Sequence, residues 1–397
     1  MPTLNEPNSK DSNKVASLRT PVTLWLALRL LSLPVASLAL LYDKGWRSDL
    51  SVRTFLFAPW YSYDAEYYVR IVKYGYQAGE ITSGFHPLYP WTAKILDALL
   101  HEPILSLLVV SSVSGLLLTL TFYQLAIKDH GPEIAGTATA LFLCWPVTVA
   151  VFAPYTEALF LLFSVCCLLA ARKGHYLVAG FAGALAALTR QQGIFLTLPL
   201  AWEIWESSDR NWRTFIQQWR RWSATLIVPA GYALWIAYRA LAINDVKPDF
   251  SSAQRFIYSV MISPSHYQVF PDQQFLPPWT ALWKATRILW HGGLHFSAYG
   301  DALLGAVFVT MLIFGWRHLR TSYRIYSVAI VLVGLSYHTG SLVNPYTALP
   351  RHLLLAFPIF IGVAARYKFQ RLRFVLFMLA LCQSLFLCCF VWRTWVL

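Results

Sequence analysis

Two carboxylates that could do acid–base chemistry, Asp64 and Glu66, stand two residues apart in the aromatic-rich stretch 59–70. A carboxylate that is partly removed from water gains proton affinity, so either one could take the proton of an alcohol. The spacing also has a simpler interpretation. Glu66 would pair with Arg70 four residues further on, and Asp64 would cap a short helix. Spacing alone favours this simpler interpretation.

Further candidates for chemistry follow along the chain. His86, in a proline-rich turn, could shuttle protons or anchor the turn, and Glu157 borders an apolar run, where a charge is costly and usually functional. Arg190 and Arg351 could each hold a phosphate, because a guanidinium donates two parallel hydrogen bonds. For Glu157 and Arg351 the alternative is a side chain that extends to the membrane interface. His352 is a secondary phosphate candidate beside Arg351.

The composition shows what kind of fold must position these residues. Of 397 residues, 57% are hydrophobic and 13% are charged, whereas soluble domains are about one quarter charged. Apolar runs near the length of a membrane helix recur along the chain. We therefore predict an all-α polytopic membrane protein with about eleven spans, at 21–42, 104–127, 134–153, 155–171, 176–190, 191–205, 223–241, 300–317, 325–342, 351–366 and 374–394.

The distribution of charge predicts the orientation. The net charge of +13 lies in short clusters between apolar runs, which is typical of cytoplasmic loops and anionic lipid rather than of a nucleic-acid surface. Residues 1–20 are predicted to be a disordered cytoplasmic segment, and 21–397 a single transmembrane domain. Two long loops, 43–103 and 242–299, then lie outside, and loops of this length are usually functional. Neither cysteine nor histidine spacing indicates a metal site.

The order of several motifs resembles the PIG-V mannosyltransferase family and its bacterial relatives. No single motif is specific, but their order covers about three quarters of the chain. The matching pieces are Tyr63-Asp64-x-Glu66-Tyr67-Tyr68 with Gly75-Tyr76, Phe85-His86-Pro87-Leu88-Tyr89-Pro90, Pro154-Tyr155-Thr156-Glu157, Arg172-Lys173-Gly174 to Gly180, Leu188-Thr189-Arg190-x-x-Gly193 and Arg351-His352-Leu353-Leu354 through Phe357-Pro358.

The resemblance implies a C-type glycosyltransferase fold and a reaction on the outer or lumenal face. A mannose-like sugar would pass, with inversion, from a polyprenyl-phosphate carrier to a hydroxyl of a glycolipid, glycan or protein acceptor. Asp64 falls where this superfamily places its catalytic acidic residue in the first outer loop. The short chain favours a bacterial plasma membrane, or the endoplasmic reticulum if the protein is eukaryotic. The turn Arg190-Gln191-Gln192 departs from the Arg-Pro-Asn or similar sequence of many relatives, so we expect the donor or acceptor contacts to differ there.

On this basis each candidate residue receives a role. Asp64 is the predicted general base; Arg351 and Arg190, with His86 and His352, are the predicted phosphate contacts. Glu66 and Glu157 would orient acceptor hydroxyls. The scheme requires no cofactor and no metal. The remaining predicted substrate contacts are aromatic side chains, three of which would stack on the sugar (Trp60, Tyr61 and Tyr67) and one of which precedes Glu157 (Tyr155).

Two other functions fit the same topology. A lipid or sugar transporter or flippase would do no covalent chemistry, but such proteins often show internal repeats, and none is visible in this sequence. A polymerase or ligase of surface polysaccharide would use a diphosphate-linked donor instead. The long aromatic loops favour an enzyme.

Overall fold

The computed structural model describes residues 9–45, 51–252, 255–256, 259–260, 274–291, 296–339, 344–346, 348–367 and 369–394. Within these ranges the protein is helical apart from two short strands, which confirms the predicted all-α class. The helices of the first half are α1 (Ser9–Asp43), α2 (Val52–Phe57), α3 (Asp64–Tyr74), α4 (Leu88–Leu100), α5 (Pro103–His130), α6 (Pro132–Cys144), α7 (Val149–Phe152), α8 (Glu157–Arg172) and α9 (Tyr176–Thr189).

In the second half, the described residues form two short strands and ten further helices. The strands β1 (Gln274–Phe275) and β2 (Tyr337–His338) pair antiparallel, with Gln274 opposite His338. The helices are α10 (Thr197–Ser207), α11 (Trp212–Gln217), α12 (Trp219–Trp222), α13 (Ala224–Tyr238), α14 (Pro278–His291), α15 (Phe296–Gly315), α16 (Thr321–Ser336), α17 (Leu349–Leu354), α18 (Pro358–Arg366) and α19 (Phe369–Val391).

Several of these helices are apolar enough to cross a bilayer, as expected for an integral membrane protein. The described residues include five helical segments of sufficient length and hydropathy: Arg19–Asp43, Pro103–His130, Trp219–Ile243, Ser297–His318 and Leu372–Val391. The pair Pro132–Cys144 and Pro146–Phe152, bent by 75°, would make a sixth. The predicted count of about eleven spans is therefore not confirmed.

Helix length explains this difference. The predicted spans 155–171 and 176–190 correspond to α8, of 16 residues, and α9, of 14 residues. At 1.5 Å per residue they are about 24 and 21 Å long, whereas the hydrocarbon core of a bilayer is about 30 Å thick. Most of α8 is buried by neighbouring helices, so its ends need not reach water.

The predicted loops and terminus contain more helix than the sequence indicated. The first long loop, 43–103, holds α2, α3 and α4. The second, 242–299, is described in part and contains α14. Within the segment 1–20 that the sequence predicts to be disordered, residues 9–20 belong to α1, and residues 1–8 lie outside the described residues.

Small residues bring α9 and α13 into backbone contact. A side-chain carbon at Gly231 would lie 2.3 Å from the carbonyl oxygen of Ala184, and one at Gly183 would lie 2.6 Å from the Val228 side chain. Close approach through small residues is a common way for helices to associate in membranes, because lipid provides no hydrophobic drive. This contact fixes the end of α9, and Arg190 follows directly after it.

Ion pairs tie the helices together at the far end of α8. Arg172 pairs with Asp129, and the Tyr323 hydroxyl donates to the same carboxylate at 2.7 Å, so α5, α8 and α16 are joined. Arg320 binds Glu203 of α10 at 2.7 Å. These contacts hold one end of the bundle, whereas the candidate residues for chemistry gather at the other.

The contact between α9 and α13 gives a test of the packing. We expect Gly231→Ala to destabilise the protein by about 1–3 kcal/mol, because the added methyl group meets backbone atoms that cannot rotate away. Thermal unfolding in detergent measures the effect. Gly136→Ala in α6 is the matched control, since a side-chain carbon there has nothing within 4 Å. Equal unfolding temperatures for the two variants would contradict this packing.

Candidate active site

Asp64 is placed by an unusual turn at the start of α3. Tyr63, at the N-cap, has φ 53° and ψ −122°, a conformation that is strained for a residue with a side chain. Asp64 is the first residue of the helix, where the exposed backbone N–H groups favour a carboxylate. The side chain of Asp64 is 31% exposed. The simpler interpretation, in which Asp64 itself caps the helix, is wrong because Tyr63 occupies the cap.

Arg351 lies between two carboxylates from distant parts of the chain. Its Nη1 is 2.7 Å from Oδ2 of Asp64, and its Nε donates to Oε1 of Glu157. The guanidinium also lies over the ring of Tyr155, at 4.2 Å from the ring centre. Arg351 is 6% exposed, so these contacts compensate a cation that water does not reach.

Glu157 carries the network on to Arg190. It is the first residue of α8 and its side chain is fully buried. Arg190 Nη1 donates to Oε1 of Glu157 and, at 2.9 Å, to the hydroxyl of Thr156. The second carboxylate oxygen of Glu157, Oε2, has no hydrogen-bond partner among the described residues. The predicted extension of Glu157 to the membrane interface is therefore wrong.

We call the set Asp64, Glu157, Arg190 and Arg351 the four-charge network. Two carboxylates and two guanidinium groups give it a formal charge of zero when all four are ionised. Removing one partner of a buried ion pair costs about 3–5 kcal/mol, because the other charge stays buried and uncompensated. The network therefore constrains α3, α8, α17 and the end of α9 to one arrangement. We call the side of the bundle on which it lies the loop face.

His86 is buried near this network in a neutral form. Its Nδ1 donates to the carbonyl oxygen of Ala187 at 2.9 Å, and its ring stacks on Tyr232 with centres 5.4 Å apart. Burial lowers the pKa of His86 to about 3, a shift that the nearby Arg190 charge reinforces. His86 is therefore uncharged at neutral pH and its Nε2 is an acceptor, which argues against the predicted phosphate contact.

Glu66 has its partner outside the four-charge network. It pairs with Arg393 at 2.5 Å, beyond the end of α19, and Arg70 pairs with Glu80 at 2.6 Å instead. The prediction that Glu66 and Arg70 form a pair is therefore wrong. Glu66 therefore pairs with Arg393, 327 residues away in sequence, and not with Arg70 on the same helix. His352, beside Arg351, has its ring 5.7 Å from that of Tyr337.

The four predicted aromatic contacts divide into two groups. Tyr61 is 42% exposed and Tyr67 is partly exposed, with its ring 5.1 Å from that of Phe85. Trp60 is only 1% exposed and lies under the guanidinium of Arg29 at 5.0 Å, so its ring has no free face for a sugar. Tyr155 is fully buried beneath Arg351, where it supports the cation.

Sequence reasoning missed three residues near the site. Thr156 binds Arg190, and Arg393 binds Glu66. Arg239, the first residue of the π-helical turn Arg239–Ile243, forms a buried pair with Asp245 at 3.2 Å. The signal for the two arginines is a charge at the border of an apolar run, the same signal that singled out Glu157. No group of three or more potential metal ligands occurs in the described part of the chain.

Comparisons with known proteins identify similar chains. The solved structure of ArnT from Cupriavidus metallidurans bound to undecaprenyl phosphate has a TM-score of 0.47 and 16% identity over 84% of this chain and 59% of that one. The apo oligosaccharyltransferase of Archaeoglobus fulgidus has a TM-score of 0.43 and 13% identity over 93% and 56%. This chain thus spans less than two thirds of either protein. No curated protein matches it significantly.

A family model gives the more specific result. The model described as Mannosyltransferase (PIG-V) matches residues 49–220, which include Asp64, Glu157 and Arg190 but not Arg351. The match begins just before α2 and ends in α12, so it covers the segment in which the ordered motifs were densest. The resemblance that those motifs predicted is confirmed over residues 49–220, where this chain is similar to the PIG-V mannosyltransferase family; the late motif that begins at Arg351 lies outside the match.

Proposed function

We propose that this protein is a membrane glycosyltransferase with a C-type fold, which transfers a mannose-like sugar from a polyprenyl-phosphate carrier to an acceptor hydroxyl with inversion. The reaction takes place on the loop face, which we assign to the outer or lumenal side of the membrane. The single observation that carries this proposal is the four-charge network, which joins the candidate base to both candidate phosphate contacts.

Exposure assigns different tasks to the members of the network. Asp64 is 31% exposed, whereas the side chains of Arg190, Arg351 and Glu157 are 11%, 6% and 0% exposed. An acceptor that approaches from the loop face therefore meets Asp64 first. The side chains of Arg190, Arg351 and Glu157 lie deeper in the protein than Asp64. This gradient suits a base that must touch a large acceptor, backed by cations that are shielded from water.

The chemical step is a single displacement. Asp64 takes the proton of the acceptor hydroxyl while the hydroxyl oxygen forms a bond with the anomeric carbon. The bond between that carbon and the phosphate oxygen breaks, and its electron pair stays on the leaving polyprenyl phosphate. A single displacement inverts the anomeric centre. Because the leaving group is a stabilised anion, the step needs little acid assistance.

The network couples this proton transfer to stabilisation of the leaving group. Before the step, the charge of Arg351 is shared between Asp64 and Glu157. When Asp64 becomes protonated, the network changes from zero to one positive charge. At the same moment the phosphate gains one negative charge as the phosphodiester becomes a monoester. Positive charge therefore appears where negative charge develops, which favours the transition state over the bound substrate.

Arg190 is the better placed of the two arginines for the donor phosphate. The bonds it makes to Glu157 and Thr156 both use Nη1. An arginine carries five N–H donors, and no hydrogen bond from Nε or Nη2 to another described residue occurs, so these donors can bind an anion. Oε2 of Glu157 has no hydrogen-bond partner among the described residues but is fully buried, so a substrate hydroxyl reaches it only if the donor displaces the side chains around it.

The sugar and lipid portions of the substrate fit the surroundings of the network. Tyr61 and Tyr67 are accessible for stacking on a sugar ring, whereas Trp60 is not. The apolar helices would keep the polyprenyl chain within the lipid. The undecaprenyl phosphate bound to the similar ArnT structure is a carrier of this class. We propose the bacterial plasma membrane as the location and a glycolipid, glycan or protein as the acceptor.

Removal of the proposed base tests the chemical step. In an assay with purified protein and polyprenyl-phosphate mannose, we expect Asp64→Asn to lower kcat by about 10²–10⁴-fold, because an amide cannot accept the proton. Binding of the donor should change little. Asp43→Asn is the control, since Asp43 is an exposed carboxylate paired with Lys44 at the end of α1.

Two outcomes would oppose this assignment. Normal turnover by well-folded Asp64→Asn protein would exclude Asp64 as the base. Movement of labelled lipid across vesicles by the wild-type protein, with no glycosyl transfer, would replace the proposed enzyme by a transporter.

The phosphate contact is tested by donor binding. We expect Arg190→Ala to weaken binding of polyprenyl phosphate by about 10–100-fold, which corresponds to one or two hydrogen bonds between charged groups. Arg190→Lys should recover only part of the affinity, because an ammonium lacks the two-pronged geometry of a guanidinium. Titration of the lipid by its effect on thermal unfolding gives the dissociation constants.

Arg70→Ala, which removes an exposed ion pair from α3, is the control for the binding experiment and should bind like wild type. Unchanged donor affinity in both Arg190→Ala and Arg351→Ala would show that the phosphate binds elsewhere.

A further inference from the structure

The end of α19 contacts the segment that carries Asp64. Arg393, just beyond this helix, donates from Nη2 to the carbonyl oxygen of Tyr61 at 2.8 Å and to Oε1 of Glu66 at 2.5 Å. The two acceptors lie three residues before and two residues after Asp64. One guanidinium therefore holds the chain on both sides of the candidate base.

A second residue of the same helix, Phe390, contacts two tyrosines that lie beside members of the four-charge network. The ring of Phe390 lies 6.0 Å from that of Tyr63 and 5.8 Å from that of Tyr155. Tyr63 has the positive φ that starts α3, and Tyr155 supports Arg351. A strained backbone conformation persists only where its surroundings hold it, and Phe390 is part of those surroundings.

The end of α19 is itself fixed to the rest of the bundle. Trp392 Nε1 donates to the carbonyl oxygen of Ala39 at 2.8 Å, and its ring packs against Tyr42 with centres 5.5 Å apart. Further along the helix, the amide of Gln383 donates to the carbonyl oxygens of Leu143 and Trp145 at the break after α6. Arg393 therefore extends from a rigid support.

We propose that Arg393, acting through Glu66 and the Tyr61 carbonyl, is a positioning residue that holds Asp64 in register with Arg351 for glycosyl transfer. This inference rests on the proposed function, and it gives Glu66 a positioning role in place of its predicted contact with acceptor hydroxyls. Arg393 lies outside the segment 49–220 that matches the PIG-V family.

A positioning role and a purely stabilising role of the Arg393–Glu66 pair predict different effects when the pair is removed. Arg393 is 53% exposed and Glu66 is 39% exposed, and exposed ion pairs contribute about 0–1 kcal/mol to stability. Loss of the pair should therefore change the unfolding temperature little. A displacement of about 1 Å at a reacting group can lower the rate about 100-fold. The expected signature is a folded protein with normal donor binding and slow turnover.

The experiment compares Arg393→Ala, Arg393→Lys and Glu66→Gln with wild type. We expect Arg393→Ala to lower kcat by about 10–100-fold with little change in KM for the donor, and Arg393→Lys to recover part of the loss. Amide hydrogen exchange followed by mass spectrometry should show faster exchange across residues 61–67 in Arg393→Ala. The double variant Glu66→Arg/Arg393→Glu should turn over faster than either of its single variants.

Arg53→Ala is the matched control, because Arg53 forms another exposed ion pair, with Glu102, on the same predicted loop. It should match wild type in kcat and in the exchange of residues 61–67. If Arg393→Ala does not fold, Glu66→Gln takes its place in both measurements.

Three results would overturn the inference. These are wild-type exchange across residues 61–67 in Arg393→Ala, wild-type kcat in that variant, and an equal loss of kcat in Arg53→Ala. Failure of the proposed function itself looks different, since the wild-type protein would then transfer no sugar. The exchange measurement would still decide whether Arg393 holds the segment.

Discussion

The ion pairs of Arg351 with Asp64 and Glu157 are the contacts on which the arrangement of the loop face depends. They join α3, α8 and α17, and Arg190 adds the end of α9 through Glu157. In a chain with so few charged residues, buried charges persist only when each is compensated by another. The helices must therefore meet in a way that brings two cations and two anions together.

The rest of the bundle supports the helices that carry the four-charge network. Glycine contacts between α9 and α13 fix the position from which Arg190 extends, and the turn at Tyr63 sets Asp64 at the start of α3. The pairs formed by Arg172 and Arg320 hold the opposite ends of the helices. Rigid support on both sides keeps the four charged groups within reach of one another, which is what the proposed displacement reaction requires.

Sequence reasoning identified the members of the network but not their partners. The apolar runs predicted a helical membrane protein, and the motif order predicted the PIG-V resemblance, because both signals are local in sequence. Partners are not local: Arg351 and Glu157 are 194 residues apart, and Glu66 and Arg393 are 327 apart. Local spacing therefore assigned Glu66 to Arg70, the wrong partner. The apolar runs also led to the prediction that α8 and α9 each cross the membrane completely. Hydropathy alone does not show that an apolar helix is short and enclosed by other helices.

The central claim is that the four-charge network forms a single site for the carrier phosphate and the acceptor. A structure of the protein with bound polyprenyl phosphate, determined by cryo-electron microscopy in lipid nanodiscs, tests it most directly. We predict phosphate density within hydrogen-bond distance of the Arg190 guanidinium, on the side from which the exposed carboxylate of Asp64 is reached. Phosphate density bound at another cluster, with Asp64, Glu157, Arg190 and Arg351 in contact only with one another, would contradict the account.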